Sequence, residues 1–278
     1  MNFKFRYIAI SLLAVLFAAC EVIPENDRLI PIDMEESNRK TLLIEFSALK
    51  CVNCPNAAEE AHNMSLLHGD MFVVVEMHPA SNTLTQAKPE WDYTCEESDI
   101  YYKYFGGTNT TPFPTGVINF AQTQDGYFQP YSLWEAAYTK SAGKISHIDI
   151  MQIVQADPET RTLSITEGVT NLSTEALDVQ YIVWLTEDSI LGPQMMPDGS
   201  LNQQYYHNHI LRDAITDVWG EELHIEMYET QFITIEYQLP EKVIMENCNI
   251  VGLALKNGEV VQVNEYKLKD ILSTNPLE

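Results

Sequence analysis

Cys51 and Cys54 stand two residues apart in the stretch Thr41–Pro55, read TLLIEFSALKCVNCP. An apolar run leads into the pair, and Pro55 fits the first turn of a helix behind it. Thiols at this spacing can exchange a disulfide with another dithiol, hold half of a metal site, or staple a loop. A cysteine at a helix N-terminus sees the positive end of the helix dipole and unpaired N–H groups, which favour the thiolate. On that argument Cys51 is the exposed nucleophile and Cys54, one turn further in, the buried resolving thiol. Lys50 adds positive charge beside Cys51.

Metal chemistry needs more ligands than this pair supplies. Cys95, His62, His68 and His78 are present, but no second C-x-x-C or H-x-x-x-H accompanies them. His207 and His209 form a His-x-His, and alternate strand residues share a face. Spacing sets no acid or third histidine beside them, and a structural loop docking on the preceding domain accounts for the segment. The reading therefore assigns no metal and no cofactor.

The elements that must position the cysteines are legible around them. Thr41–Phe46 and Met71–Met77 are short apolar runs suited to buried strands. Between them Ala57, Ala58, Ala61, Met64 and Leu67 recur at helical spacing, and Gly69 follows as a stop. Residues 96–105 predict a helix ended by Gly106-Gly107, and Val117–Phe120 a third strand. Asp125-Gly126 marks a hairpin turn, and Tyr131–Ala142 a closing helix with Leu133, Trp134, Ala137 and Tyr138 on one face.

From Ser146 the pattern changes to alternating short strands. They fall at residues 147–156, 162–170, 177–186, 231–238, 249–255 and 260–268, and the last two are joined by Asn257-Gly258. This reads as an antiparallel β-sandwich, immunoglobulin-like in class but without that family's cysteine-tryptophan-cysteine core. Residues 190–222 interrupt it.

The order strand, C-x-x-C, helix, strand, helix, then proline before a strand, hairpin and helix resembles the thioredoxin fold. The resemblance implies a cis-proline at Pro114 facing the disulfide, with the Phe113 backbone open to a passing peptide strand. It also implies a buried acid at Glu45, which would take the proton from Cys54 as a mixed disulfide resolves. The chain departs from thioredoxin in three ways. Lys50 stands where tryptophan is usual, Val52-Asn53 replaces Gly-Pro, and the segment 79–107 is long and contains Cys95.

Charge and the N-terminus set the compartment. Lys and Arg number 16 against 40 Asp and Glu, a net charge of -24, so phosphate would be repelled and no nucleic-acid partner is expected. Lys4 and Arg6 precede an apolar run from Tyr7 to Phe17 that is too short to span a bilayer. The ending Phe17-Ala18-Ala19-Cys20 resembles a bacterial lipobox, which implies that residues 1–19 are a signal peptide and that Cys20 carries acyl chains into the membrane. Residues 20–40 are polar and Pro-containing and read as a tether. A thioredoxin-like domain then covers 41–143 and a β-sandwich domain 146–278.

Over nearly its whole mature length the chain resembles the Bacteroidota outer-membrane protein family of the twenty-eight-kilodalton type. The match is carried by Glu45-Phe46, by Cys51–Pro55, by Pro114-Thr115-Gly116-Val117-Ile118-Asn119 and by His207-Asn208-His209-Ile210-Leu211-Arg212. It implies a lipid-anchored outer-membrane protein, periplasmic or surface-facing, with envelope or surface proteins as partners. Lipidation of Cys20 leaves four cysteines. With Cys51–Cys54 paired, Cys95 and Cys248 could staple the two domains if their Cα atoms lie within about 7 Å. Two functions follow. One is thiol–disulfide exchange, with Cys51, Cys54, Glu45 and Pro114 as the catalytic set and Phe113 and Lys50 lining the groove. The alternative is surface binding or adhesion with a structural disulfide.

Overall fold

A computed structural model describes residues 39–85 and 89–274. The segment expected to be a signal peptide, Cys20 and nearly all of the segment expected to be a tether lie outside the described residues. The fold is mostly β, with mixed sheets and few helices.

Strand β1 (Thr41–Phe46) is buried along its whole length and pairs in parallel with β2 (Phe72–Met77). Helix α1 (Cys54–His68) connects them. After helix α2 (Glu96–Tyr104), strand β3 (Thr115–Ile118) lies antiparallel along the other side of β1, and helix α3 (Trp134–Ala142) follows. Successive strand residues point to opposite faces, and this sorts the core. Leu43, Phe72, Val74 and Ile118 pack on Ala57, Ala61 and Met64 of α1 and on Trp134 of α3. Leu42, Ile44, Phe46, Val73 and Val75 face the opposite way, towards Tyr101 and Tyr102 of α2. Two expected helix-face residues fall elsewhere: Leu67 is 71% exposed and Leu133 50%. The reason for Leu133 is a 3-10 turn at Tyr131–Leu133, which shifts the helical face to start at Trp134.

The second half continues the same sheet. Its strands are β4 (Ile148–Asp157), β5 (Thr162–Asn171), β6 (Leu177–Glu187), β7 (Ile190–Met195), β8 (Leu201–His207), β9 (Ile210–Ala214), β10 (Glu221–Ile225), β11 (Thr230–Gln238), β12 (Cys248–Lys256) and β13 (Glu259–Lys267). Helix α4 (Leu268–Thr274) follows them. One eight-stranded sheet runs in the order β13-β12-β6-β9-β2-β1-β3, with β10 also on β6. A three-stranded sheet, β11-β5-β4, packs on the β6–β12 part of it, and β7–β8 form a separate hairpin.

Strand β6 is buried on both faces, as its uninterrupted apolar run requires. Val179, Tyr181, Val183 and Leu185 face the three-stranded sheet. Ile182 and Trp184 face the core shared with β1 and α2, where the Trp184 indole N–H donates to the Tyr101 hydroxyl at 3.0 Å. Strand β9 closes the sheet between β6 and β2. Its link to β2 is short: one register pair, Glu76 with Ile210, and a 2.7 Å bond from the Glu76 N–H to the His209 carbonyl. Four register pairs hold it to β6. The segment 190–222, expected to interrupt the strands, supplies β7, β8 and β9 and so makes this joint.

Cys95 and Cys248 are both free, so the pairing left open between them is not made. They sit in separate environments. The Cys95 Sγ lies 3.0 Å from the Ser98 hydroxyl at the start of α2, and the Cys248 thiol donates to the Ile244 carbonyl at 3.3 Å.

A fully buried acid, Glu167 on β5, stands among Leu163, Ile165 and Val169 between the two packed sheets. Gln152 and the Tyr181 hydroxyl donate to its two oxygens at 3.1 and 2.8 Å. Burial outweighs these bonds and pushes its carboxyl up to about 7. A group raised in this way stabilises the fold while protonated, and that contribution is lost as pH rises from the unfolded value through the folded one. We expect the chain to lose up to about 3 kcal/mol of stability between pH 5 and pH 8 through this group. Glu167→Gln should flatten that slope in melting temperature against pH; an unchanged slope would show that Glu167 ionises freely.

Candidate functional site: a covered disulfide beside a buried acid and histidine cluster

The chain leaves β1 at Phe46, turns through Ala48–Lys50 and enters α1 at Cys54. The Cys51 N–H donates to the Ala48 carbonyl at 3.1 Å. Cys51 and Cys54 form a disulfide with Cα atoms 5.4 Å apart. The Phe113–Pro114 peptide is cis, and because Thr115 pairs with Phe46, Pro114 stands at the cysteine end of β1. The sequence-expected pair, proline and strand order are therefore together.

The expected exposure of Cys51 is not observed. Cys51 is 3% exposed and Cys54 2%. Both cysteines belong to the core that holds Phe46, Ala48 and Phe113, and the β7–β8 hairpin is hydrogen-bonded to the C-x-x-C turn. The Met195 N–H donates to the Leu49 carbonyl at 2.9 Å. The buried Gln194 amide donates to the Cys51 carbonyl at 2.9 Å and to that of Ala48 at 3.3 Å. A nucleophile under such a cover meets a partner only when the hairpin lifts. The two residues expected to line a groove go separate ways. Lys50 is exposed, whereas Phe113 is buried with its ring 5.7 Å from that of Tyr102.

Glu45 is 1% exposed on β1, and its register partner across the parallel pair is Glu76 on β2, also buried. Two carboxylates cannot both ionise cheaply in such a place, and the structure separates them. Burial, reinforced by the charge of Glu76, holds the Glu45 carboxyl well above the usual range. Burial opposes the charge of Glu76 as well, but the hydrogen bond and charge of His78, the charge of His207 and a bond from Ser47 outweigh it. The two carboxyls are thus pushed in opposite directions, Glu45 up and Glu76 down. The Glu76 and His78 side chains meet at 2.6 Å, Oε1 to Nε2. His207, at the end of β8, completes the group, and its burial pushes the imidazole down to about 4. The rings of Tyr93 and Tyr205 lie 4.9 Å from the ring of His207. His207 and His209 do not act as a pair. His209, in a left-handed turn, sits against Asp188 at 3.2 Å.

A cavity of about 480 Å³ opens beside this group, with Glu45, Glu76, Tyr205, His207, Glu59 and His62 among its walls. Glu76, Gln194 and Tyr205 were not singled out from the sequence. One signal was available: Glu76 is the lone acid in the apolar strand FVVVEM, with His78 directly behind it. A charge in a strand buried on both faces must have a partner.

A strand–helix–strand unit with a closed C-x-x-C, continued through one sheet into a mostly β second half, defines the class. The family model described as outer membrane protein Omp28 matches residues 98–271, more than half of the chain. The chain belongs to that outer-membrane protein family. Its structure is similar to HBP35 of Porphyromonas gingivalis, with a TM-score of 0.66 at 14% identity, covering 84% of this chain and 76% of that one. A domain of the outer membrane lipoprotein Omp28 from the same organism matches at 22% identity over 45% of this chain and 89% of that one, with a TM-score of 0.31. No curated protein matches. Among the described residues no helix is long and apolar enough to cross a membrane.

Removal of the Gln194 amide should loosen the cover. Losing its buried hydrogen bonds costs about 1–2 kcal/mol, so Gln194→Ala should speed reduction of Cys51–Cys54 by dithiothreitol on the order of tenfold. Alkylation and mass spectrometry would follow the rate; an unaltered rate would show that the hairpin does not gate the disulfide.

Proposed function

We propose that this chain is a lipid-anchored outer-membrane binding protein whose C-x-x-C disulfide is structural. In this reading Cys20 carries the lipid, residues 20–40 are the tether, and a thioredoxin-like unit at 41–143 is followed by an immunoglobulin-like sandwich at 146–278. The thioredoxin-like assignment is supported by the order of elements about β1 and by helices on both faces of β2-β1-β3. The sandwich assignment is supported by the packing of β11-β5-β4 against β6 and β12. The observation that carries the functional reading is the burial of Cys51 beneath Gln194 and Met195. Exchange requires an accessible sulfur, and thiolate reactivity follows exposure. Envelope or surface proteins are the expected partners, and the net charge of -24 favours a partner with basic surface.

A second reading is favoured by one observation: a closed Cys51–Cys54 pair opens α1 at the end of the strand that carries a buried Glu45. With the hairpin lifted and the pair reduced, Cys51 would attack a partner disulfide and expel one partner thiolate. Cys54, once deprotonated, would then attack the Cys51 sulfur of the mixed disulfide, re-forming the Cys51–Cys54 bond and expelling the second partner sulfur as a thiolate. Glu45 would take the Cys54 proton only after water in the opened site has deprotonated that carboxyl.

The reduction potential separates the two. We expect a value below about −300 mV, as for structural disulfides of exported proteins, and no mixed disulfide captured by Cys54→Ser in the envelope. A potential in the range of thioredoxin-type catalysts, together with captured partners, would replace the first reading with the second.

A further inference from the structure

We propose that Glu76, His78 and His207 form a binding site for one divalent transition-metal ion, with Zn²⁺ the best-matched probe. One ligand atom from each of the three lies within 4.8 Å of the others, and all three residues are buried. They come from separate parts of the chain: β2, the residue just after it, and the last residue of β8. Tetrahedral zinc with bonds of about 2.0–2.1 Å places its ligand atoms roughly 3.3 Å apart. The Glu76–His78 contact at 2.6 Å would open by less than about 1 Å and the longer separations would close by at most about 1.5 Å, which is within reach of side-chain rotation.

The donor set decides the class of ion. Two imidazoles and one carboxylate suit zinc and its neighbours in the first transition row, whereas Ca²⁺ and Mg²⁺ call for six or more oxygens. A second observation is independent of the cluster. Glu45 lines the same cavity as Glu76 and His207, it is 1% exposed, and its Oε1 has no hydrogen-bond partner. An ion at the cluster would give that oxygen a partner, either directly or through a bound water. A support of the kind that orients metal ligands is in place. The His207 Nε2 lies 3.4 Å from the Pro193 carbonyl. The cavity offers an entry path. None of this depends on whether the disulfide exchanges, so the site goes beyond both functional readings. The sequence reading assigned no metal because these ligands meet only through the fold.

The test is calorimetric titration of the mature, disulfide-intact chain with ZnCl₂ after chelator treatment, with MgCl₂ and CaCl₂ in parallel. We expect one equivalent of Zn²⁺ and no uptake of the other two. His207→Ala, shown to be folded by circular dichroism, should weaken binding by more than the roughly 10–100-fold typical of second-shell changes, and Glu45→Gln by about tenfold. Cys95→Ser/Cys248→Ser should bind as the parent does. X-ray absorption of the unsubstituted zinc-loaded chain covers the case in which His207→Ala does not fold; it should show two imidazoles and oxygen in the first shell. Absence of saturable Zn²⁺ binding, equal affinity in folded His207→Ala, or sulfur in the first shell would each overturn the proposal.

Discussion

Strand β9 is the constraint on which the rest of the molecule depends. It is five residues long and holds β2 by a single register pair and β6 by four. Without it the parallel strands of the first half and the antiparallel strands of the second would be two sheets with unpaired edges, each a row of exposed N–H and C=O groups. With it, one sheet runs from β3 to β13. A second contact joins the two halves at the opposite ends of this strand order, where the Val260 N–H of β13 donates to the Asn119 carbonyl just past β3 at 2.9 Å and the Asn119 side chain accepts from the Leu42 N–H at 2.7 Å. Asn119 is in the left-handed region with φ 50°, which asparagine tolerates better than most residues.

The same segment that provides β9 provides the cover over the cysteines. Once Ile210 is docked beside Glu76, the preceding residues His207 and Tyr205 are brought to β2, and the hairpin must fold back over the C-x-x-C turn. Gln194 and Met195 then bond the carbonyls of Ala48, Leu49 and Cys51. Burial of Cys51 and assembly of the Glu76, His78 and His207 group are therefore two results of one docking event.

Local signals carried much of this fold. The apolar runs of β1 and β2, the proline at the head of α1, and the period-two alternation of β4, β5, β6, β11, β12 and β13 are close to where the sequence puts them, within a residue or two at each end. The expectation failed where the pattern is two-sided or non-local. Strand β8 reads LNQQYYH, mostly exposed, with no apolar face to reveal it as a strand. Leu67 fits a helical stripe, but the covered face of α1 runs through Ala57, Ala61, Met64 and His68, whose ring meets Phe72, and Leu67 points off it. Cys51 was expected to be exposed from its place at a helix start, and the covering hairpin begins far along the chain at Ile190, beyond the reach of any spacing rule. The meeting of His78 with His207 is illegible for the same reason.

Native-state hydrogen exchange tests the central claim most directly, since local opening and global unfolding have separate signatures in it. If β7–β8 is an integral cover, the Met195 amide, bonded to Leu49, and the Glu76 amide, bonded to His209, should exchange with the protection of the β1–β2 core amides. Protection at Met195 comparable to an exposed turn, while β1 and β2 stay protected, would contradict the account and leave Cys51 open to solvent in the native protein.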